Sequence, residues 1–99
     1  MAFSKKSGSE IANITESIAI LSESSKSDWT TELCRISWNG KEPKLEIRKM
    51  NKHAEDGIKF GKGVSLTDEE ANILVEELIN LGFGDTKKLK IAIKNRTSG

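Results

Sequence analysis

Apolar and polar positions alternate through the middle of the chain, and this pattern predicts two neighbouring β-strands. The first strand covers residues 30–39, with Cys34, Ile36 and Trp38 on one face and Leu33, Arg35 and Ser37 on the other. The second covers residues 44–50, where Leu45 and Ile47 alternate with charged residues. Because successive side chains of a strand point to opposite faces, we expect the face of Leu45 and Ile47 to be buried, as in an antiparallel sheet with one solvated side.

Turn residues separate these strands from each other and from a further strand. Asn39-Gly40 favours a tight turn and Pro43 does not fit inside a central strand, so residues 39–43 are predicted to connect the two strands. Residues 51–57 are polar and predict a loop, whereas residues 58–66 predict another strand. Three strands therefore follow one another in this part of the chain.

The beginning of the chain is less regular. Residues 1–9 are rich in Ser, Lys and Gly and are expected to form a disordered arm. Between residues 10 and 23 the apolar positions fit helical spacing, but Ile18 and Ile20 also fit strand spacing among β-branched neighbours. We assign a strand to residues 15–23 and a polar loop to residues 22–28.

The stretch from residue 67 to residue 82 predicts one amphipathic helix. Thr67-Asp68-Glu69-Glu70 matches a capping box, its acidic residues suit the positive end of the helix dipole, and Gly82 is a natural stop. The apolar stripe consists of Ala71, Leu74, Val75, Leu78 and Leu81. Ile73 lies on the otherwise polar side, which predicts a second packing surface.

The tail, residues 83–99, leaves two interpretations open. Leu89, Ile91 and Ile93 alternate with lysines, which fits either a short extra strand or a flexible basic arm. The predicted order is β-β-β-β-α in the α+β class, with a four-stranded antiparallel sheet and one C-terminal helix in residues 10–82. Such a small core is marginal alone, so oligomerisation is expected.

Charge is segregated along the chain although the net charge is only +1. Residues 30–64 carry eight bases and five acids, residues 67–82 carry five acids and no base, and residues 83–99 carry five bases and one acid. A chain with almost no net charge is not expected to be a general DNA-condensing protein. The separation of signs indicates instead a protein with distinct charged surfaces.

The sequence contains no feature of a secreted or membrane protein. No apolar run approaches the roughly 18–20 residues that span a bilayer, and the N-terminus lacks the apolar stretch of a signal peptide. A single cysteine, Cys34, cannot form an internal disulfide and fits a reducing compartment. The expected location is the cytoplasm, with association to the nucleoid if the source is bacterial.

Catalytic and cofactor-binding patterns are weak. His53 is the only histidine and lies in a predicted polar loop. Gly61-Lys62-Gly63 resembles the start of a phosphate loop, but the third glycine and the following Lys-Ser/Thr pair are missing. The helix carboxylates are best interpreted as a solvated face. The sequence therefore predicts a protein that is not an enzyme and uses no cofactor or metal.

Basic residues and aromatic rings occur together on the predicted sheet. The basic residues are Arg35, Lys41, Lys44, Arg48, Lys49, Lys59 and Lys62, and the rings are Trp29, Trp38 and Phe60. Proteins bind single-stranded nucleic acid through charge along the backbone and stacking on the bases. Duplex DNA calls for a helix in the major groove, and the predicted helix is acidic. A core role for Trp38 and a solubilising role for the lysines fit the spacing equally well.

Residues 18–81 resemble the positive cofactor four family of single-stranded-DNA-binding transcriptional coactivators, and the bacterial branch in particular. Three motifs in the order of the family carry the resemblance: Arg35-Ile36-Ser37-Trp38-Asn39, Pro43-Lys44-Leu45-Glu46-Ile47-Arg48, and Gly61-Lys62-Gly63-Val64-Ser65-Leu66-Thr67-Asp68-Glu69-Glu70. The resemblance implies a curved sheet followed by a helix, and a homodimer whose helices pack against each other. The implied dimer contacts are Ile73, Leu74, Leu78 and Leu81.

The resemblance also implies a binding face for single strands or for the arms of an opened duplex. Its predicted contacts are Arg35, Trp38, Lys41, Lys44, Arg48, Met50, Phe60 and Lys62. Arg48 lies on the other face of the strand from Leu45 and Ile47. Its guanidinium is therefore expected to be free of the core and to contact a phosphate or base. The alternative is a salt bridge with a glutamate on a neighbouring strand.

The chain departs from the family at one position of the predicted binding face. After the acidic-Ile-Arg motif the family usually has an aromatic residue, where this chain has Met50 and Asn51. Met50 is expected to pack under a base, with Trp38 or Phe60 as possible replacements for the missing ring.

The expected function is binding of single-stranded DNA in transcription, replication or repair, with transcription or replication proteins as further partners. An RNA-binding regulator that uses the same face is one alternative. A protein-interaction module that uses the acidic helix and the basic tail is another.

Overall fold

The computed structural model describes residues 11–98, which form two compact units, one ending at Thr67 and one beginning at Asp68. The disorder predicted for residues 1–9 lies outside the described residues. None of the helices in the described part of the chain has the length and apolar character needed to cross a membrane.

The first unit is a four-stranded antiparallel sheet, as predicted. Its strands are β1 (Ala12–Glu23), β2 (Trp29–Trp38), β3 (Lys44–Asn51) and β4 (Lys59–Leu66), and they lie side by side in sequence order. The strand interpretation of the first segment is confirmed, and this strand begins three residues earlier than predicted. The register of β1 against β2 shifts at three places along its length.

The connection between β2 and β3 is the tight turn that the sequence predicts. Asn39 and Gly40 have φ angles of 56° and 75°, and the Lys41 N–H donates to the Trp38 carbonyl at 3.0 Å. Two successive positive φ angles match the right-handed twist of the flanking strands, which is why Asn-Gly is favoured in such turns. The turn fixes which residues of β2 and β3 stand opposite each other.

One face of the sheet, here called the packed face, carries the core. Cys34, Ile36 and Met50 are fully buried, and Ala12, Ile14, Trp38 and Phe60 pack around them. Cys34 stands opposite Glu46, so the even-numbered residues of β3 also lie on this face. Burial, followed by the nearby negative charges of Glu46 and Glu32, raises the pKa of the Cys34 thiol.

The prediction that Leu45 and Ile47 mark the buried face is wrong. Glu46 is fully buried, whereas Leu45 and Ile47 are only half-buried. They lie on the opposite face, here called the open face, together with Leu33 and the 52% exposed Val64. The alternation of β3 separates its two faces correctly. The face with Glu46 is nevertheless the more buried one, because a charged side chain whose hydrogen bonds are satisfied can be buried.

The second unit begins with α1 (Asp68–Asn80), the predicted acidic helix. It starts directly after Thr67 and ends in a Schellman motif, where Gly82 has a φ of 97° and the Phe83 N–H donates to the Leu78 carbonyl at 3.0 Å. The start and stop signals in the sequence are therefore confirmed. None of the residues of α1 is buried.

The tail is neither a strand nor a flexible arm, because Thr86–Ser98 forms a second helix, α2. The prediction of a single helix is therefore wrong. Asp85 caps α2: its Oδ1 accepts hydrogen bonds from the Lys87 and Lys88 N–H groups at 2.9 and 3.1 Å. The helical repeat lies in Leu89, Ala92, Ile93 and Arg96, which line one side of α2.

Candidate nucleic-acid interface

A buried carboxylate organises the packed face. Glu46 on β3 is fully buried, and each of its two oxygens accepts a hydrogen bond. Trp38 Nε1 donates to Oε2 at 2.6 Å, and Arg48 Nε donates to Oε1 at 2.6 Å. A buried charge is tolerated only when it is paired and hydrogen-bonded, and both conditions hold here.

Arg48 takes part in this packing and is not free of it. Its side chain is 16% exposed, its guanidinium lies 5.1 Å from the centre of the Trp38 ring, and its Nη1 donates to the Gly61 carbonyl at 2.9 Å. The prediction of a guanidinium free of the core is therefore wrong. The salt-bridge alternative is closer to the structure, although Glu46 lies on the same strand, two residues before Arg48. Arg48 is packed because its side chain lies on the packed face, which contains the core.

A second aromatic ring lies beside Trp38. The centres of the Trp38 and Phe60 rings are 5.7 Å apart, with 58° between the planes, and both residues are half-buried. Tilted aromatic pairs of this kind are favourable because the edge of one ring meets the face of the other. We call Trp38, Glu46, Arg48 and Phe60 the indole–guanidinium cluster.

Two glycines in β4 allow the strand to approach this cluster and the tryptophan on the other face. A Cβ at Gly63 would come within 2.7 Å of the Ile47 carbonyl oxygen and 2.8 Å of Arg48 Cβ. At Gly61 it would come within 2.9 Å of the Trp29 ring. Gly61-Lys62-Gly63 therefore belongs to a strand that contains a bulge, since Gly61 and Lys62 stand opposite Lys49 alone. This position gives a structural reason for the glycines that resembled a phosphate loop.

The predicted lysines remain accessible. Lys41 lies in the β2–β3 turn, Lys44 lies on the packed face opposite Ile36, and Lys62 lies in the β4 bulge. All three are exposed, and none forms an ion pair with another residue of the described chain. These lysines provide positive charge on and beside the packed face.

The other predicted basic residues lie elsewhere. Arg35 is on the open face, where its Nε is 3.2 Å from Glu16 Oε1 in an exposed ion pair. Lys49 and Lys59 also belong to the open face by register. The structure therefore divides the predicted basic group between the two faces of the sheet.

Met50 is not placed to contact a base. It is fully buried in the core, which does not fit the prediction that it packs under a base. The four predicted dimer contacts are exposed: Ile73 by 56%, Leu74 and Leu78 by 39%, and Leu81 by 73%.

Sequence reasoning missed a second buried acid on the packed face. Glu32 is 2% exposed, Lys52 Nζ lies 2.8 Å from its Oε1, and the Thr30 hydroxyl donates to its Oε2 at 2.7 Å. Burial raises the pKa of this carboxyl, but the hydrogen bonds from Lys52 and Thr30 outweigh it and leave the pKa below its ordinary value. The alternation of β2 contains the signal, because Glu32 is in phase with Cys34 and Ile36.

The described residues offer no group of three or more His, Cys, Asp or Glu side chains that would hold a metal ion. His53 is exposed in the loop after β3, where its backbone N–H donates to Asn51 Oδ1 at 2.8 Å.

Comparison with known proteins gives one relative and no family. No protein-family model matches the chain. An uncharacterized protein of Treponema pallidum is 42% identical to it over 52 residues. The match covers 52% of this chain and 56% of the Treponema protein, so it extends over about half of each.

Proposed function

We propose that the protein binds single-stranded DNA without catalysis, on the packed face of the sheet. The observation that carries this proposal is the half-buried Trp38–Phe60 pair, in which Glu46 and Arg48 hold the Trp38 ring. The part of each ring that stays accessible can stack on a base of any kind, and nearby lysines contact the phosphates. We assign stacking to Trp38 and Phe60 and phosphate contacts to Lys41, Lys44 and Lys62.

Arg48 has a different role in this proposal from the one the sequence predicts. Its charge already neutralises Glu46, so it contributes little net attraction for a phosphate. Its position over the indole makes it a positioning residue, because it and Glu46 together fix the plane of Trp38. Stacking and lysine charge then supply the affinity, which suits a binder with little sequence preference in transcription, replication or repair in the cytoplasm.

Single strands suit this surface better than duplex DNA. Stacking on Trp38 and Phe60 requires an unpaired base whose face is accessible. The acidic helix α1 would be repelled by the phosphates of a duplex major groove. RNA offers the same bases and phosphates, so the sugar preference depends on a contact to the 2′-hydroxyl.

Binding to a single-stranded DNA, an RNA and a duplex of equal length, measured over a range of salt concentrations, tests the proposal. We expect the single-stranded DNA to bind most tightly. With about six phosphates neutralised per dimer, log affinity should fall against log salt with a slope near −4, from about −0.7 per contact. A flat slope, or duplex binding as tight as single-strand binding, would contradict the proposal. Tighter RNA binding would favour the RNA-binding alternative.

We further propose that the active form is a homodimer joined through α1. The helix exposes Ile73, Leu74 and Leu78, with Leu81 directly after it, and a monomer rarely leaves so many large apolar side chains in contact with water. Sedimentation at micromolar concentration should give twice the chain mass of 10.9 kDa. Ile73→Glu should shift the protein toward monomer, with Asp68→Asn at the helix start as the control that leaves the dimer intact. A wild-type monomer would contradict the proposal.

A further inference from the structure

The two helices of the second unit have opposite charge. Helix α1 carries five acids and no base, and α2 carries five bases and no acid. The bases of α2 are Lys87, Lys88, Lys90, Lys94 and Arg96. Surface helices commonly mix signs so that residues four positions apart attract each other. Neither helix does so, which indicates that each presents a surface of one sign.

Lys87 and Lys90 of α2 lie outside the groove that α2 forms with α1. Leu89, Ala92, Ile93 and Arg96 line an apolar groove together with Val75 and Ile79 of α1. At about 100° per residue, Lys87 lies on the side of α2 opposite this groove, and Lys90 lies on the neighbouring flank, outside the groove. Both are exposed, and neither takes part in an ion pair among residues 11–98.

The position of these lysines opposes helix stability. Lys87 and Lys88 fall in the first turn of α2, where the helix dipole is positive and disfavours further positive charge, and Lys90 follows in the next turn. Only Arg96 lies in the last turn, where bases are favourable. Lysines that served only solubility could lie anywhere on the surface of α2. An anionic partner bound to these lysines would offset the loss of helix stability that their position causes.

We propose that α2 is a second phosphate-binding surface, in which Lys87 and Lys90 contact the backbone of a single strand. The proposal rests on the function proposed above and extends it from the sheet to the helical unit. A phosphodiester backbone fits better than a lipid surface, because a helix that lies on a membrane inserts its apolar face. In α2 that face lines the groove with α1.

The test compares two variants that lose the same charge. Lys87→Gln/Lys90→Gln removes the proposed contacts, and Lys26→Gln/Arg96→Gln removes one base from the β1–β2 loop and one from the groove side of α2. Each is titrated with an oligothymidylate longer than the roughly 4–16 nucleotides that a single binding domain covers. Because the proposed active form is a dimer, the first variant removes four contacts, and we expect it to reduce the salt slope by about 2.8, from about 0.7 per contact. The control should leave the slope unchanged. The melting temperature of Lys87→Gln/Lys90→Gln should stay the same or rise, because the variant removes positive charge near the positive end of the α2 dipole.

Other outcomes separate this inference from the proposed function. Equal slopes for the two variants, with wild-type binding intact, would overturn the inference and leave the sheet as the binding surface. A wild-type protein that does not bind the oligonucleotide at all would overturn the proposed function. Lysine-dependent binding to phosphatidylserine vesicles, without an effect on the oligonucleotide, would assign α2 to a membrane surface and overturn the inference.

Discussion

Replacing Arg48 with alanine is expected to lower the free energy of unfolding by about 3–5 kcal/mol, the usual cost of removing one partner of a buried ion pair. Glu46 would remain fully buried with the Trp38 indole as its remaining side-chain donor. The Gly61 carbonyl would also lose its hydrogen bond from the guanidinium. Denaturant unfolding at a fixed protein concentration measures the effect.

Two further variants make this test specific. Arg35→Ala is the matched control, because its ion pair with Glu16 is exposed and such pairs contribute about 0–1 kcal/mol. Glu46→Gln combined with Arg48→Ala should recover part of the loss, because the uncompensated buried charge is removed. If Arg48→Ala costs no more than Arg35→Ala, Arg48 is a surface residue and the cluster described here does not form.

Replacing Trp38 with alanine is expected to weaken single-strand binding about tenfold to a hundredfold. Base stacking on an aromatic side chain contributes about 1–3 kcal/mol, and about 1.4 kcal/mol corresponds to a tenfold change in affinity. Trp38→Phe should retain most of the affinity, because it keeps an aromatic ring for stacking. It loses only the N–H that donates a hydrogen bond to Glu46. Affinity is measured per folded protein, since both changes also disturb packing against Phe60.

The second tryptophan provides the control for this experiment. Trp29 lies on the open face by register, and Trp29→Phe should leave the affinity unchanged. In that background Trp38 is the only remaining tryptophan, so quenching of its fluorescence on titration reports stacking directly. The reverse result, in which Trp29→Phe weakens binding and Trp38→Ala does not, would place the binding surface on the open face.

Local signals in the sequence predict much of the sheet and of α1. Asn39-Gly40 locates the turn, because its two positive φ angles require residues that tolerate them. Thr67 and Gly82 locate the ends of α1, because capping chemistry depends on a few neighbouring residues. Alternation identifies the two faces of β2, and the structure keeps Cys34 and Ile36 on the same side.

The sequence could not predict which face is packed, and the candidate site depends on that choice. Leu45 and Ile47 are more apolar than Glu46 and Arg48, so hydrophobicity alone favours the wrong face. The charged pair is buried because Trp38 and Gly61 complete its hydrogen bonds, and both are distant in sequence. A pairing of this kind becomes visible only when the register is known.

The missed helix has a local explanation. In residues 83–99 the alternation of lysines with apolar residues matches strand spacing, but the same residues also contain a helical repeat. Asp85 decides between them, because its side chain caps the first turn of α2. Gly84 supports this arrangement: its φ is 95°, and a Cβ there would come within 2.8 Å of Leu89 Cδ1.

The three register shifts of β1 have a consequence for how the sheet behaves among its own copies. In the sheet described, β1 is an edge strand, and Ile18, Ile20 and Leu21 on it are 42–56% exposed. A straight apolar edge offers a continuous row of backbone groups on which another chain adds as a further strand. Each shift interrupts that row and bends the strand. The irregular edge therefore protects an apolar strand against aggregation by strand addition.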